Sequence, residues 1–85
     1  MGKGHAVVRA YVLVQTEIGM AGAVAAEIAG IPGVTEAEDI TGPYDVIARV
    51  EADALDTIAQ IVGGPQFRAI KGIARTVTCP VVHIT

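Results

Sequence analysis

Two four-residue groups constrain this chain more than anything else in it. Ile31-Pro32-Gly33-Val34 follows one helix-like stretch, and Ile70-Lys71-Gly72-Ile73 follows another. Each group launches a strand-like run, so the second half of the chain echoes the first. The segments around them fall into the order β-α-β-β-α-β.

Val7 to Thr16 alternates, with Ala10, Val12 and Val14 on one face and Arg9, Tyr11, Leu13 and Gln15 on the other. That pattern predicts a strand with one apolar face and one mixed face. Glu17-Ile18-Gly19 turns the chain. Met20 to Ala29 is predicted helical, because Met20, Ala23, Val24 and Ile28 recur at helical spacing and alanine is the best helix former. Gly30 ends this helix, with Pro32 beyond it as a stop. Val34 to Thr41 predicts a second strand with an unclear pattern: Val34 and Ile40 share a face with Glu36 and Glu38, while Thr35, Ala37 and Asp39 share the other. So many carboxylates suit a sheet edge, where charge discourages stray pairing, and a bulge would switch the faces.

Val46 to Ala52 is the third strand, with Val46, Ala48 and Val50 alternating against Ile47, Arg49 and Glu51. Asp53 is placed to cap a second helix whose inward stripe is Leu55, Ile58, Ala59 and Val62. Gly63-Gly64-Pro65 breaks that helix, and Gln66 to Lys71 predicts a short extra turn. Ile73 to Ile84 is the last strand, where Thr76 and Thr78 alternate against Val77 and Cys79. Pro80 cannot donate to a ladder, so it marks an edge position or a bulge.

Two βαβ halves joined by Thr41-Gly42-Pro43-Tyr44-Asp45 predict an α+β, ferredoxin-like fold (βαββαβ). Its sheet is antiparallel, and both helices lie on one face because βαβ crossovers are right-handed. The other face is left bare and carries Tyr11, Leu13 and Ile47 with polar neighbours such as Arg49. An exposed patch of that size calls for a partner, and a self-complementary sheet-on-sheet homodimer is the simplest one.

Composition supports association. Eighty-five residues make one small domain, with 1–6 read as a flexible arm and 7–85 as a single ligand-binding and oligomerisation domain. A chain this short buries only ~60–65% of its unfolded surface. Its hydrophobic fraction of 52% rests on Ala, Val and Ile rather than on aromatics, and small domains without staples often gain stability by associating. The single cysteine, Cys79, cannot form an internal disulfide, and a metal site lacks partners, which points to a reducing, cytoplasmic setting. No signal peptide or membrane span fits the N-terminal stretch. The net charge is −3 and the six Lys and Arg residues are scattered, which disfavours direct nucleic-acid binding.

The central Thr41–Asp45 stretch has two readings: a plain turn between short strands, or the lip of a small-molecule pocket. Here the chain resembles a known family, the effector-binding (RAM) domain of the Lrp/AsnC transcription regulators in its stand-alone form. The residues that carry the likeness are Ile31-Pro32-Gly33-Val34, Thr41-Gly42-Pro43-Tyr44-Asp45, Ile70-Lys71-Gly72-Ile73 and Arg75-Thr76-Val77-Thr78. They span roughly Val8 to Ile84. The resemblance implies sheet-mediated dimers of the dimeric α+β barrel type, further assembly into rings of dimers, and amino acids bound between subunits near the central hairpin. Full-length members read DNA through an N-terminal helix-turn-helix, for which a handful of residues before the first strand leave no room. The expectation is therefore indirect regulation, by association with full-length Lrp/AsnC regulators. The Gly63-Gly64-Pro65 break departs from the longer helix usual in the family.

An amino acid is a zwitterion: its ammonium needs an acceptor and its carboxylate needs clustered N–H donors. Asp45 suits the first role. Backbone around Gly42 and Tyr44 suits the second, because glycine permits a concave nest of amides. Pro43 has no N–H and shapes the loop. Thr76 and Thr78 would add hydroxyls, as the resemblance implies. The plainer account is that Asp45 bonds its own turn, Tyr44 packs and the threonines are ordinary strand residues. The competing class is a small dimeric α+β barrel enzyme, an oxygenase or isomerase type acting between sheets, with Tyr11 and His83 as its candidate actors. His83 lacks a second ligand at metal spacing, Cys79 reads as a small buried residue, and Glu36, Glu38 and Asp39 read as a solvated edge. The expectation is a non-catalytic module without metal or cofactor.

Overall fold

The computed structural model describes residues 7–82. The arm over 1–6, with His5, lies outside the described residues, and so do His83 and Ile84. The order is β1 (Val8–Thr16), α1 (Ala21–Ala29), β2 (Val34–Asp39), β3 (Val46–Ala52), α2 (Leu55–Val62), α3 (Pro65–Arg68) and β4 (Ile73–Pro80). The four strands lie side by side as β2-β3-β1-β4, every neighbouring pair antiparallel. This is the ferredoxin-like arrangement that the doubled pattern predicts, with α3 as a short addition.

The core grows from the alternation of the two central strands. Ala10, Val12 and Val14 of β1 sit opposite Val50, Ala48 and Val46 of β3, and all six are buried. Val24, Ala25 and Ile28 of α1, Ile58 of α2 and Phe67 of α3 close over them in one cluster. Both helices therefore pack on the same side of the sheet. Burying one such aliphatic side chain contributes ~1.5–3 kcal/mol. The helix phases differ in detail from the periodicity. Ala25 rather than Ala23 is buried in α1, and Ile58 is joined by Ile61 and Val62 in α2 while Leu55 and Ala59 stay exposed. The cap of α2 also moves: Ala54, not Asp53, holds that position, with no side-chain bond.

β2 resolves its unclear pattern with a bulge. Val34 pairs with Val50 and Glu36 with Arg49, so Thr35 is the extra residue. The bulge turns Val34 and Ala37, three apart, both against the core, and leaves Glu36, Glu38 and Asp39 exposed on a sheet edge. β4 forms the other edge and ends earlier than the alternation suggests, at Pro80, after which the Val81 N–H donates to the Arg9 carbonyl at 2.8 Å.

The sequence echo has a geometric counterpart. Gly33 and Gly72 both take a φ of +98°. The Gly33 carbonyl accepts the Glu51 N–H at 2.9 Å, and the Gly72 carbonyl accepts the Glu17 N–H at 2.8 Å. Each turn thus latches onto a residue within one position of the end of a central strand. A Cβ would meet Ile61 Cδ1 at 2.6 Å from Gly33, and Met20 Sδ at 2.8 Å from Gly72. Gly72→Ala is expected to destabilise the domain by about 1–2 kcal/mol through the left-handed backbone alone, read as a melting temperature lower by roughly 4–8 °C per kcal/mol. An unchanged melt would mean the turn is not held in that conformation.

Candidate functional site

The β2–β3 connection is a short loop held at its base and along one side. Ile40 N–H donates to the Asp45 carbonyl at 2.8 Å, and Asp45 N–H donates to the Val14 carbonyl at 2.9 Å. Thr41, Gly42 and Pro43 are exposed, while Tyr44 and Asp45 are half-buried. Gly42 has a φ of +157°.

The Asp45 carboxylate does not bond its own turn, as the plainer reading has it. Its Oδ2 accepts the Thr16 N–H at 2.8 Å and the Thr16 hydroxyl at 3.4 Å. The carboxylate therefore ties the hairpin to the end of β1, a strand 29 residues away in sequence, rather than to its own turn. Sequence spacing gives no sign of this contact, because it follows from the β1–β3 register. The remaining oxygen, Oδ1, makes no hydrogen bond among the described residues, and the same holds for the amides of Thr41, Gly42 and Tyr44. One loop thus carries an unused carboxylate oxygen and unused N–H donors.

Thr76 and Thr78 lie elsewhere in the same chain. They pair with Val14 and Val12, so they share the helix side of the sheet, and β1 separates them from β3. Two strand spacings make that separation ~10 Å. Both are exposed.

The opposite face does assemble as a unit. Tyr11 pairs with Arg49 and Leu13 with Ile47. β4 extends the same rows, Cys79 beside Tyr11 and Val77 beside Leu13, while Glu36 and Glu38 of β2 flank Arg49 and Ile47. No helix covers this face, and Tyr11 keeps 36% of its surface exposed. The result is an apolar centre of Leu13, Ile47 and Val77 with charged groups to one side. Glu51 Oε2 lies 3.3 Å from Arg9 Nε and 3.6 Å from Arg49 Nε, and Arg49 Nε donates to Thr35 Oγ1 at 2.9 Å. Cys79 is exposed on this face, against the expectation of a buried residue: it stands on an edge strand on the uncovered side. Val77 and Cys79 were findable from the alternation of the last strand, once that strand is placed next to β1. Among the described residues no group of His, Cys, Asp and Glu is placed to hold a metal, and no helix is long and apolar enough to cross a membrane.

The chain matches the model of a family described as the Lrp/AsnC ligand binding domain, over residues 9–85. The chain belongs to the Lrp/AsnC ligand-binding domain family. A solved structure described as FFRP-DM1 has the same fold, with a TM-score of 0.78 and 31% identity, covering 88% of this chain and 99% of that one. An uncharacterised helix-turn-helix transcriptional regulator of Pyrococcus furiosus is 40% identical over 55 residues, which is 65% of this chain and 36% of that protein. A homocitrate synthase of Sulfurisphaera tokodaii is 39% identical over 56 residues, 66% of this chain and 12% of that enzyme. This Lrp/AsnC domain thus spans about a third or less of the curated relatives it matches. The predicted break at Gly63-Gly64-Pro65 is present, since α2 stops at Val62 and α3 starts at Pro65.

Proposed function

We propose that this Lrp/AsnC domain is a non-catalytic effector module that binds an amino acid, or a similar small zwitterionic metabolite, at the Thr41–Asp45 hairpin. The observation that carries the reading is the chemistry left over in that loop. Asp45 Oδ1 is an acceptor for an ammonium group, and the Thr41, Gly42 and Tyr44 amides are donors for a carboxylate. Charge-assisted bonds of this kind are among the stronger ones available to a small ligand. Pro43 shapes the loop without taking a donor's place. Thr76 and Thr78 join such a ligand only where a second copy brings them to the hairpin.

In this reading the module dimerises through Tyr11, Leu13, Ile47 and Arg49 and builds further into rings of dimers of the α+β barrel type. It acts in the cytoplasm, by associating with full-length Lrp/AsnC regulators rather than by touching DNA. Two kinds of relative favour a sensing role separable from what is regulated: part of a helix-turn-helix regulator matches this chain, and so does part of an enzyme. The catalytic alternative has weaker support, because Tyr11 lies on an open face and a ligand-binding family covers nearly the whole chain.

Calorimetry with the standard amino acids tests the proposal. At least one is expected to bind saturably. Asp45→Asn, which keeps an oxygen for the Thr16 amide but removes the charge, is expected to weaken that ligand about tenfold or more. No binding by any amino acid, or an affinity indifferent to Asp45→Asn, would reject the site.

A further inference from the structure

We infer a second ligand site, independent of the hairpin, that takes a small aliphatic carboxylate. It is the groove of about 230 Å³ on the helix side of the sheet, lined by Val62, Gly63, Phe67, Arg68, Ile73 and Thr76. The groove exists because the Gly63-Gly64-Pro65 break ends α2 at Val62 and restarts the helix as α3. The helix side of β4 is left uncovered, with Thr76 and Thr78 exposed.

The walls select the ligand. Val62, Phe67 and Ile73 give an apolar floor that the core supports from behind, since Phe67 is itself a core residue. Arg68 is exposed and makes no ion pair among the described residues. Thr76 offers its hydroxyl, which has no hydrogen bond among them. Its amide is free as well. Val81 N–H bonds inward to Arg9, and the alternation of an antiparallel ladder then turns the Thr76 amide outward from β1.

Local charge points the same way. The chain as a whole carries −3, yet the one charged side chain lining the groove is Arg68. An anion is drawn to this corner and to no other group in the groove as strongly as to Arg68. The carbonyl end of α2 at Val62 and Gly63 disfavours negative charge, which puts the carboxylate at Arg68 and Thr76 and the hydrocarbon on Val62, Phe67 and Ile73. The volume lies below the ~300–1,000 Å³ of sites for drug-sized ligands, so the tail is short, on the order of a branched chain of a few carbons.

The test uses the full chain and two probes of one shape and opposite charge, 4-methylpentanoate and 4-methylpentan-1-amine. Calorimetry is expected to show saturable binding of the acid and none of the amine. Amide shifts in an NMR titration with the acid are expected at Phe67, Arg68, Ile73 and Thr76, and not at Gly42, Tyr44 or Asp45. Arg68→Gln, a surface change whose fold is checked by its spectrum, is expected to weaken the acid about tenfold or more, and Thr76→Val about two- to tenfold. Equal binding of acid and amine overturns the proposal, as does an affinity untouched by Arg68→Gln. Shifts confined to the 41–45 loop would overturn this site, while the hairpin stands or falls separately on the amino-acid titration and Asp45→Asn.

Discussion

Leu13→Glu is expected to be a folded monomer, and the parent chain a dimer, as proposed above. Leu13 stands at the middle of the uncovered face, paired with Ile47 on one side and Val77 on the other. A sheet-on-sheet contact of two-fold symmetry would bury it once from each copy. A carboxylate put there, between Ile47 and Val77, is stripped of its water in the contact, at a cost of several kcal/mol per ion. Two such costs exceed what a small interface of this kind can offset. The chain's own core is untouched, because Val12 and Val14 face the helices while Leu13 faces away from them. Light scattering reads the mass and circular dichroism the fold. A dimer that survives Leu13→Glu, or a parent chain that is monomeric at all concentrations, would show that this face is not the interface.

Asp45→Ala is expected to be the most damaging change in the hairpin. It strips the Thr16 N–H of the carboxylate it donates to at 2.8 Å, and a half-buried amide left without a partner costs about 1–3 kcal/mol. It also loosens the loop's hold on β1, leaving the backbone N–H bond to the Val14 carbonyl as the remaining tie. The melt is expected to fall by several degrees, and amino-acid binding to disappear. Asp45→Asn separates the two effects, since the amide oxygen can still accept from Thr16 while the ammonium partner is lost. If Asp45→Ala melts like the parent chain, the tie to β1 contributes nothing and the loop is positioned by its flanking strands alone.

The general plan was legible because it is written in periodicities. The alternation in 8–16 and 46–52 gave two central strands, and the repeated Ile-x-Gly group gave the doubled βαβ order. The same glycines prove to share one backbone angle. Detail stayed hidden where a side chain's contacts are decided by elements distant in sequence. Asp45 looked like a turn residue or a ligand acceptor, and no local pattern points to Thr16. Thr76 and Thr78 were grouped with the hairpin by resemblance, whereas the register sets β1 between them and β3. Cys79 looked buried because cysteine usually is; an uncovered edge strand overrides that preference. Leu55 fits the stripe of α2 but occupies its first residue and stays exposed.

The bulge at Thr35 has a counterpart across the sheet in Pro80, and together they bear on how the protein can multiply. Thr35 interrupts the spacing of β2, so a foreign strand laid along that side meets a broken row of partners next to three exposed acids. On the far side, the ladder turns the Pro80 position outward, where proline has no hydrogen to give. Open-ended growth by strand addition is thereby discouraged at both margins. In the proposed dimer, association uses the flat of the sheet, where contact with a second copy would use up the surface and close the assembly instead of extending it into a fibre.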